Sequence, residues 1–309
     1  MARWPAVDRP LLSVRHLASV LGVPRDKLGQ LSAEAERLYS PFTLVQVKRG
    51  KRKERPIDNP LAPLKNVQTR IKERLLDPVD LPSFMCGGVR GRSTQANARI
   101  HVCQSEVVAL DVRNFFGSVT CAQVAGVWHE RFGASNDVAW LLTRLTTYGG
   151  HLPQGAPTST ALANLVMLPT MERLHLWCRD RGLRLSIYVD DMSVSGKLAR
   201  VAIPVVASEL SRARLRLARG KVKVMPSHVR QEVTGLVVNR RLSNTRETLQ
   251  RARSLLFAAL SPTATDDDRR RAHGLIAHVC ATSANQGKWF ASKLPTTTSR
   301  LPSSDRSEP

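Results

Sequence analysis

The chain has 309 residues, with 47 Lys and Arg against 25 Asp and Glu, a formal charge of +22 and a pI near 11.0. A surplus of that size points to a polyanionic partner. The lack of any apolar run near about 18 residues, and of a basic amphipathic helix with aromatic anchors, excludes membrane spanning or anchoring. The five cysteines, Cys86, Cys103, Cys121, Cys178 and Cys280, form no C-x-x-C pair and fit no zinc site, so they read as reduced, mostly buried thiols.

The opening MARWPAVDRP has no apolar signal core, so a cytoplasmic location is expected. Residues 11–39 carry leucines and valines at helical spacing, interrupted at Pro24. The pattern is that of a DNA-binding helix-turn-helix, but the same spacing serves two helices burying one face. The second reading makes this segment an N-terminal cap in contact with RNA at most. Residues 48–55, KRGKRKER, hold six basic groups and one acid around Gly50. A solvated charge run is the plain reading, and a short basic hairpin the functional one. Asn97 and His101 lie four apart, as residues bracing a helix do.

An apolar strand over 107–110 ends at Asp111 and continues into Val112, Arg113, Asn114, Phe115 and Phe116, with the two phenylalanines expected on opposite faces of a strand. An apolar strand that delivers one Asp at its C-terminal end presents a metal ligand from a sheet. Next, LPQGAPTS over 152–159 is a loop opening a helix over 159–179. Gly155 lets backbone approach a ligand closely, and Gln154 offers amide donors and an acceptor.

In LRLSIYVDDMSVSG, Tyr188, Val189, Asp190 and Asp191 sit at a tight bend between two β-prone runs. Adjacent carboxylates at a hairpin tip repel unless a cation is held between them, and a pair of divalent ions suits nucleotidyl transfer. An ordinary acidic turn explains any Asp pair alone. A third Asp about eighty residues upstream, on its own strand, is the order of a palm-domain polymerase.

From Arg241 the pattern turns helical, through TRETLQRARSLLFAAL and a second helix through 269–280. The triplet Asp266, Asp267 and Asp268 follows Thr265, and reads as a capped helix start. The stretch after residue 240 is shorter than the roughly hundred residues of an RNase H domain, so removal of template RNA by a separate host RNase H is expected. The Ser-, Thr- and Pro-rich tail over 296–309 is expected to be disordered.

The blocks together resemble a reverse transcriptase. RPIDNPLAPLKNVQTRI (55–71) is similar to the first fingers block, ALDVRNFFGSV (109–119) to motif A, LPQGAPTS to motif B, YVDD (188–191) to motif C, and Lys221-Val222-Lys223 to the lysine-bearing motif D. Asn97-Ala98-Arg99-Ile100-His101 and Val233-Thr234-Gly235 resemble the Asn-Ala-x-x-His and Val-Thr-Gly signatures of bacterial retron enzymes. Val222 stands where that family usually has Thr, which leaves either Lys221 or Lys223 as the motif D lysine.

The resemblance implies an α+β right-hand polymerase fold. Fingers and palm (antiparallel sheet plus helices) would fill 1–240 and a short helical thumb 241–295. It implies an RNA-directed DNA polymerase in which Asp111, Asp190 and Asp191, with the Val112 carbonyl, hold two Mg²⁺ ions. Lys48, Arg55, Arg113, Asn114, Phe115, Phe116, Gln154, Gly155 and Lys221 would bind the deoxynucleoside triphosphate, with Phe116 excluding a 2′-hydroxyl. Tyr188 and Val189 would meet the primer and template. Asn97, His101, Val233, Thr234 and Gly235 are where family-specific RNA recognition would reside, or else Asn97 and His101 brace a helix under the palm.

Retron enzymes bind a cognate structured noncoding RNA, make a branched RNA–DNA hybrid, and work with an effector protein in phage defence. The alternatives are another bacterial reverse transcriptase, intron-like or diversity-generating, or a noncatalytic RNA-binding protein on a polymerase scaffold. The intact Asp triad disfavours the last.

Overall fold

The computed structural model describes residues 10–48 and 51–294; of residues 46–48, 51 and 53 it describes the backbone alone. The chain opens with α1 (Val14–Leu21), N-capped by the Ser13 hydroxyl and ended by Gly22 in the left-handed region, and α2 (Arg25–Ala33). Leu17, Leu21 and Leu28 are fully buried. The Arg70 guanidinium donates to the carbonyls of Leu21 and Gly22, and Arg74 donates to that of Val20. Those arginines occupy carbonyls that α1 leaves unpaired at its end. The pair of helices is thus fastened to the body, with its leucines in the main core.

A two-stranded antiparallel hairpin follows, β1 (Tyr39–Lys48) and β2 (Lys51–Pro60), leading into α3 (Ala62–Ile71). The short α4 (Thr94–Arg99) precedes β3 (Glu106–Asp111). After β3, residues 115–118 form a helical turn, α5 (Phe115–Ser118), where a strand was expected. Asn114 enters the left-handed region at φ 46° and turns the chain out of the sheet. The two phenylalanines therefore do not alternate across a sheet: Phe115 is buried, and Phe116 is half-buried against the same core.

Helices α6 (Cys121–Phe132), α7 (Asn136–Thr146) and α8 (Ser159–Arg179) follow, the last over the span that the sequence predicts. Then come β4 (Arg184–Tyr188), β5 (Asp191–Ser195), α9 (Ala202–Arg212) and β6 (Lys223–Pro226). The sheet order is β4-β5-β3-β6, antiparallel throughout, so the strand bearing Asp111 is central. Leu110, Leu185, Ile187, Met192 and Val194 belong to one large core with α6, α7 and α8.

The opposite side of the sheet carries a second cluster, in which Val107 and Met225 meet Ala98 of α4. It also includes Val233 and Leu236 of a small meander, β7 (Glu232–Val233), β8 (Leu236–Val237) and β9 (Ser243–Asn244). The described residues end in α10 (Arg246–Leu260), α11 (Asp266–Thr282) and α12 (Ala284–Ala291), packed around a third cluster of Ala252, Leu256, Ile276, Val279 and Phe290. Thr265 and Asp268 form a reciprocal capping box at the start of α11. Asp266 and Asp267 pair with arginines of the same helix, so the acidic triplet is a helix start. All five cysteines are free. No helix among the described residues is long and apolar enough to cross a membrane.

Candidate active site

Strand pairing brings the three aspartates together. Asp111 at the end of β3 stands directly opposite Asp191 at the start of β5, and Tyr188 pairs with Asp191 across the hairpin. Directly opposed residues project from the same face of a sheet, so Asp111, Asp191 and Tyr188 share one. Val189 and Asp190 form the connecting turn, with Val189 at φ 63°. A β-branched residue rarely adopts that conformation, and the surroundings hold it. Gly87 lies flat against the turn: a Cβ there would sit 2.2 Å from the Val189 nitrogen and 2.6 Å from the Tyr188 carbonyl carbon.

Segment 84–86 runs along β4, with Cys86 N donating to Ile187 O and Ile187 N to Phe84 O, both at 2.8 Å. The Asn164 side chain of α8 donates to the Gly87 carbonyl at 2.8 Å. On the inner side, Val112 N donates to Asp190 O at 3.2 Å. Sequence reading passed over Gly87 and Asn164; the Gly-Gly at 87–88 was the available signal.

The site is electrostatically loaded. Burial pushes the Asp190 carboxyl above the ordinary carboxylate range; the nearby Asp111 charge pushes the same way, while a backbone hydrogen bond, Lys221 and Arg55 pull it down. The Lys221 ammonium stands 2.7 Å from both oxygens of the Asp111 carboxylate. It is positioned by the turn over 219–221 and by the Ala218 N–H, which donates to Asp111 O at 2.8 Å. Lys223 instead lies on β6 opposite Ala109. The geometry therefore puts Lys221, of the two candidates, at the carboxylates.

Among the described residues no three acidic, His or Cys side chains form a ready metal cage. The donor set still fits a divalent cation. Hard carboxylate oxygens of Asp111 and Asp191 come from two neighbouring strands and that of Asp190 from the turn; burial and then the Asp111 charge raise Asp190, and the Lys221 ammonium sits against Asp111.

The LPQGAPTS loop reaches the site by docking on β2. Gln154 N donates to the Asp58 carboxylate at 3.1 Å, and Asp58 N donates to Gln154 O at 2.9 Å. Gly155, at φ 136°, lies so close that a Cβ would meet Ile57 Cγ2 at 3.1 Å and Asp58 O at 3.2 Å. Asp58 was missed by sequence reading although it lies inside the RPIDN block. Arg55, further along β2, is near enough to lower Asp190. The Lys48 side chain lies outside the described ones. Arg113 is exposed, with its backbone N–H bonded to Arg216 O at 2.8 Å, and Asn114 packs its amide against Gly117. Tyr188 and Val189 are half-buried.

A family model for reverse transcriptase (RNA-dependent DNA polymerase) matches residues 47–238, from the fingers block to just past Val-Thr-Gly. The chain belongs to this family. It is 30% identical over 301 residues to the retron Mx65 reverse transcriptase of Myxococcus xanthus, a match covering 89% of this chain and 69% of that one. The retron Ec86 reverse transcriptase of Escherichia coli is 27% identical over 234 residues, covering 74% and 72%. The retron Se72 reverse transcriptase of Salmonella heidelberg (strain 579083-10) is 30% identical over 187 residues, covering 60% of this chain but only 48% of its own length. The reverse transcriptase is therefore of the bacterial retron type, with a polymerase fold.

The two retron-type signatures of this reverse transcriptase form one structural unit. His101 is 0% exposed, with Nδ1 2.7 Å from Ser195 Oγ and Nε2 2.8 Å from Ser186 Oγ. Both serines belong to the β4–β5 hairpin, so the imidazole staples the two strands that carry YVDD. Burial, helped by the Arg184 charge, drops its pKa to about 3 and keeps it neutral. Asn97 is also buried, and its amide has no hydrogen-bond partner among the described residues; Ser93 caps α4 instead.

Neither the Asn97 nor the His101 side chain reaches the surface in this structure, and His101 braces the two strands of the β4–β5 hairpin rather than a helix. In Val233-Thr234-Gly235, Val233 is buried, Thr234 and Gly235 make the β7–β8 turn with positive φ, and the Thr234 hydroxyl donates to Thr94 O at the start of α4. Gly235 is exposed and has open space around it.

Proposed function

We propose that this protein is the RNA-directed DNA polymerase of a retron. It reverse transcribes part of a cognate structured noncoding RNA into a branched, RNA-linked single-stranded DNA, in partnership with an effector protein and as part of antiphage defence. The observation that carries the reading is the pairing of Asp111 with Asp191 beside the Asp190 turn, with Lys221 against the same carboxylates. Fingers and palm occupy 1–240, and α10–α12 act as the thumb.

Asp111, Asp190 and Asp191, with the Val112 carbonyl, would hold two Mg²⁺ ions, which when bound acidify the primer hydroxyl and steady the triphosphate. The chain's own residues do the rest. Arg55 brings charge-assisted hydrogen bonds to the triphosphate, and Lys221 offers an ammonium on a flexible stem beside it. Gln154 and Gly155, anchored through Asp58, set the wall of the nucleotide pocket together with Arg113 and Asn114. Phe116, backed by Phe115, lies beneath the sugar and excludes a 2′-hydroxyl. Tyr188 and Val189 hold the primer end. The turn at Thr234 and Gly235 is the exposed part of the family signatures and the part fitted to meet RNA. A separate RNase H removes copied template.

The test is primer extension on an RNA template together with sequencing of nucleic acid that co-purifies with the protein. Asp190→Ala is expected to lower extension by about a thousandfold or more while RNA binding persists, and the wild type is expected to carry a templated DNA joined to RNA through a branch. Near-normal extension by the variant overturns the catalytic assignment. Unbranched product overturns the retron product and favours an intron-like or diversity-generating enzyme.

A further inference from the structure

Beside the strand that carries Asp111 lies a cavity of about 630 Å³ that shares only Arg113 with the nucleotide pocket described above. Its near wall is the chain just past Asp111 and the loop over 215–220; its far wall is α9, through Ala207 and Ser211. Three arginines line it, Arg113, Arg216 and Arg219, all exposed, and no acid does. The wall is fastened to the catalytic strand. Arg113 N donates to Arg216 O and Ala218 N to Asp111 O, both at 2.8 Å, and Val112 bridges to Leu217.

The contrast with neighbouring arginines is informative. Arg200 is paired with Glu106, and Arg173 and Arg212 both hold Glu209. The three cavity arginines have no carboxylate partner among the described residues. Ala207, Ala218 and Gly220 keep side-chain bulk out of the space; a Cβ on Gly220 would touch nothing within 4 Å.

Three exposed cations without carboxylate partners around one hollow set up a positive potential that attracts an anion. Guanidinium forks match phosphate oxygens bidentately. The size is that of a small ligand and suits a compact polyphosphate. We infer that the cavity lined by Arg113, Arg216 and Arg219 is a second anion site that takes inorganic pyrophosphate, receiving it beside the strand that carries Asp111. The choice of pyrophosphate rests on the polymerase reading, since it is the group released when the primer oxygen bonds the α-phosphorus and the α–β phosphoanhydride bond breaks.

The test is calorimetric titration of the RNA-free, nucleotide-free full chain with pyrophosphate in EDTA, which removes metal-dependent binding at the aspartates. Arg216→Ala, with Arg113 and Arg219 intact, is expected to bind pyrophosphate at least tenfold more weakly. Ser211→Glu, which keeps every arginine and adds a carboxylate to the lining, is expected to do the same. Both should keep the wild-type unfolding midpoint, wild-type affinity for a short single-stranded RNA, and wild-type extension at saturating nucleotide. Inhibition of extension by added pyrophosphate should need at least tenfold more of it in both.

Unchanged pyrophosphate affinity in both variants overturns the site. So does a parallel loss of RNA affinity, which would make the arginines part of an RNA track. Absence of primer extension in the wild type would overturn the polymerase reading instead.

Discussion

Two hairpins reach Asp190: β4–β5 carries it, and β1–β2 brings Arg55 within range of its charge. Their surroundings differ at every point. The catalytic hairpin has strands of five residues, with β3 on one side and segment 84–86 on the other. Its apolar side chains are buried, and His101 ties its polar face together. The fingers hairpin has strands of ten residues and, among the described residues, no third strand. Phe42, Leu44 and Val45 are exposed on it, and its link to the nucleotide loop is the pair between Asp58 and Gln154.

Few buried contacts mean low local stability. The comparison teaches that the carboxylates are built into the core, while the cationic arm is held, among the described residues, near its base.

The largest expected effect comes from breaking the rigid hairpin at its backing. Gly87→Ala puts a Cβ into the Val189 backbone, and displacing the turn by about 1 Å should lower extension about a hundredfold. RNA affinity should persist, since the clash is local. Single-turnover extension beside filter binding checks this, and full activity would show that the turn tolerates movement.

His101→Ala comes next. It leaves two buried serine hydroxyls without their shared partner and should cost about 2–3 kcal/mol of stability in denaturant unfolding. The pH dependence follows from the same residue. The folded-state pKa is about 3 against an ordinary 6.5, so the unfolded chain binds the proton and the folded one does not. The stability His101 contributes is complete above about pH 6.5 and drains away as pH falls toward 3. The wild-type minus His101→Ala difference should shrink on acidification; a constant difference would mean the imidazole is not held neutral.

Phe116→Ala should raise ribonucleotide incorporation about tenfold by opening space under the sugar. Competition between ribo- and deoxynucleotides measures it, and unchanged discrimination would place the gate elsewhere. The smallest effect belongs to the loosely held arm. Asp58→Ala removes one hydrogen bond to Gln154, worth about 1 kcal/mol, and should raise KM for nucleotide about fivefold with kcat little changed. A loss in kcat matching that of Gly87→Ala would erase the distinction between the two hairpins.

Much of the site was legible before any coordinates. Asp111 ends an apolar run, YVDD separates two more, and the Gln154-Gly155 loop precedes a helix over Ser159–Arg179; these are local patterns. The cap at Thr265 was legible for the same reason, since its hydrogen bonds span three residues. The helical turn at Phe115 was not. Its strand-like composition is overridden by the left-handed Asn114, a backbone choice that tertiary packing stabilises.

The sequence by itself determined the class of chemistry and named Asp111, Asp190 and Asp191 as candidates to carry it, because carboxylates at strand ends and in a tight turn are local features. Only the tertiary structure decided which lysine faces Asp111, that Gly87 and Asp58 support the site, and that His101 is a staple inside the palm. Each of those depends on which distant segments come to lie against one another, and the chain reveals that only after strand pairing and burial have chosen among the possible neighbours.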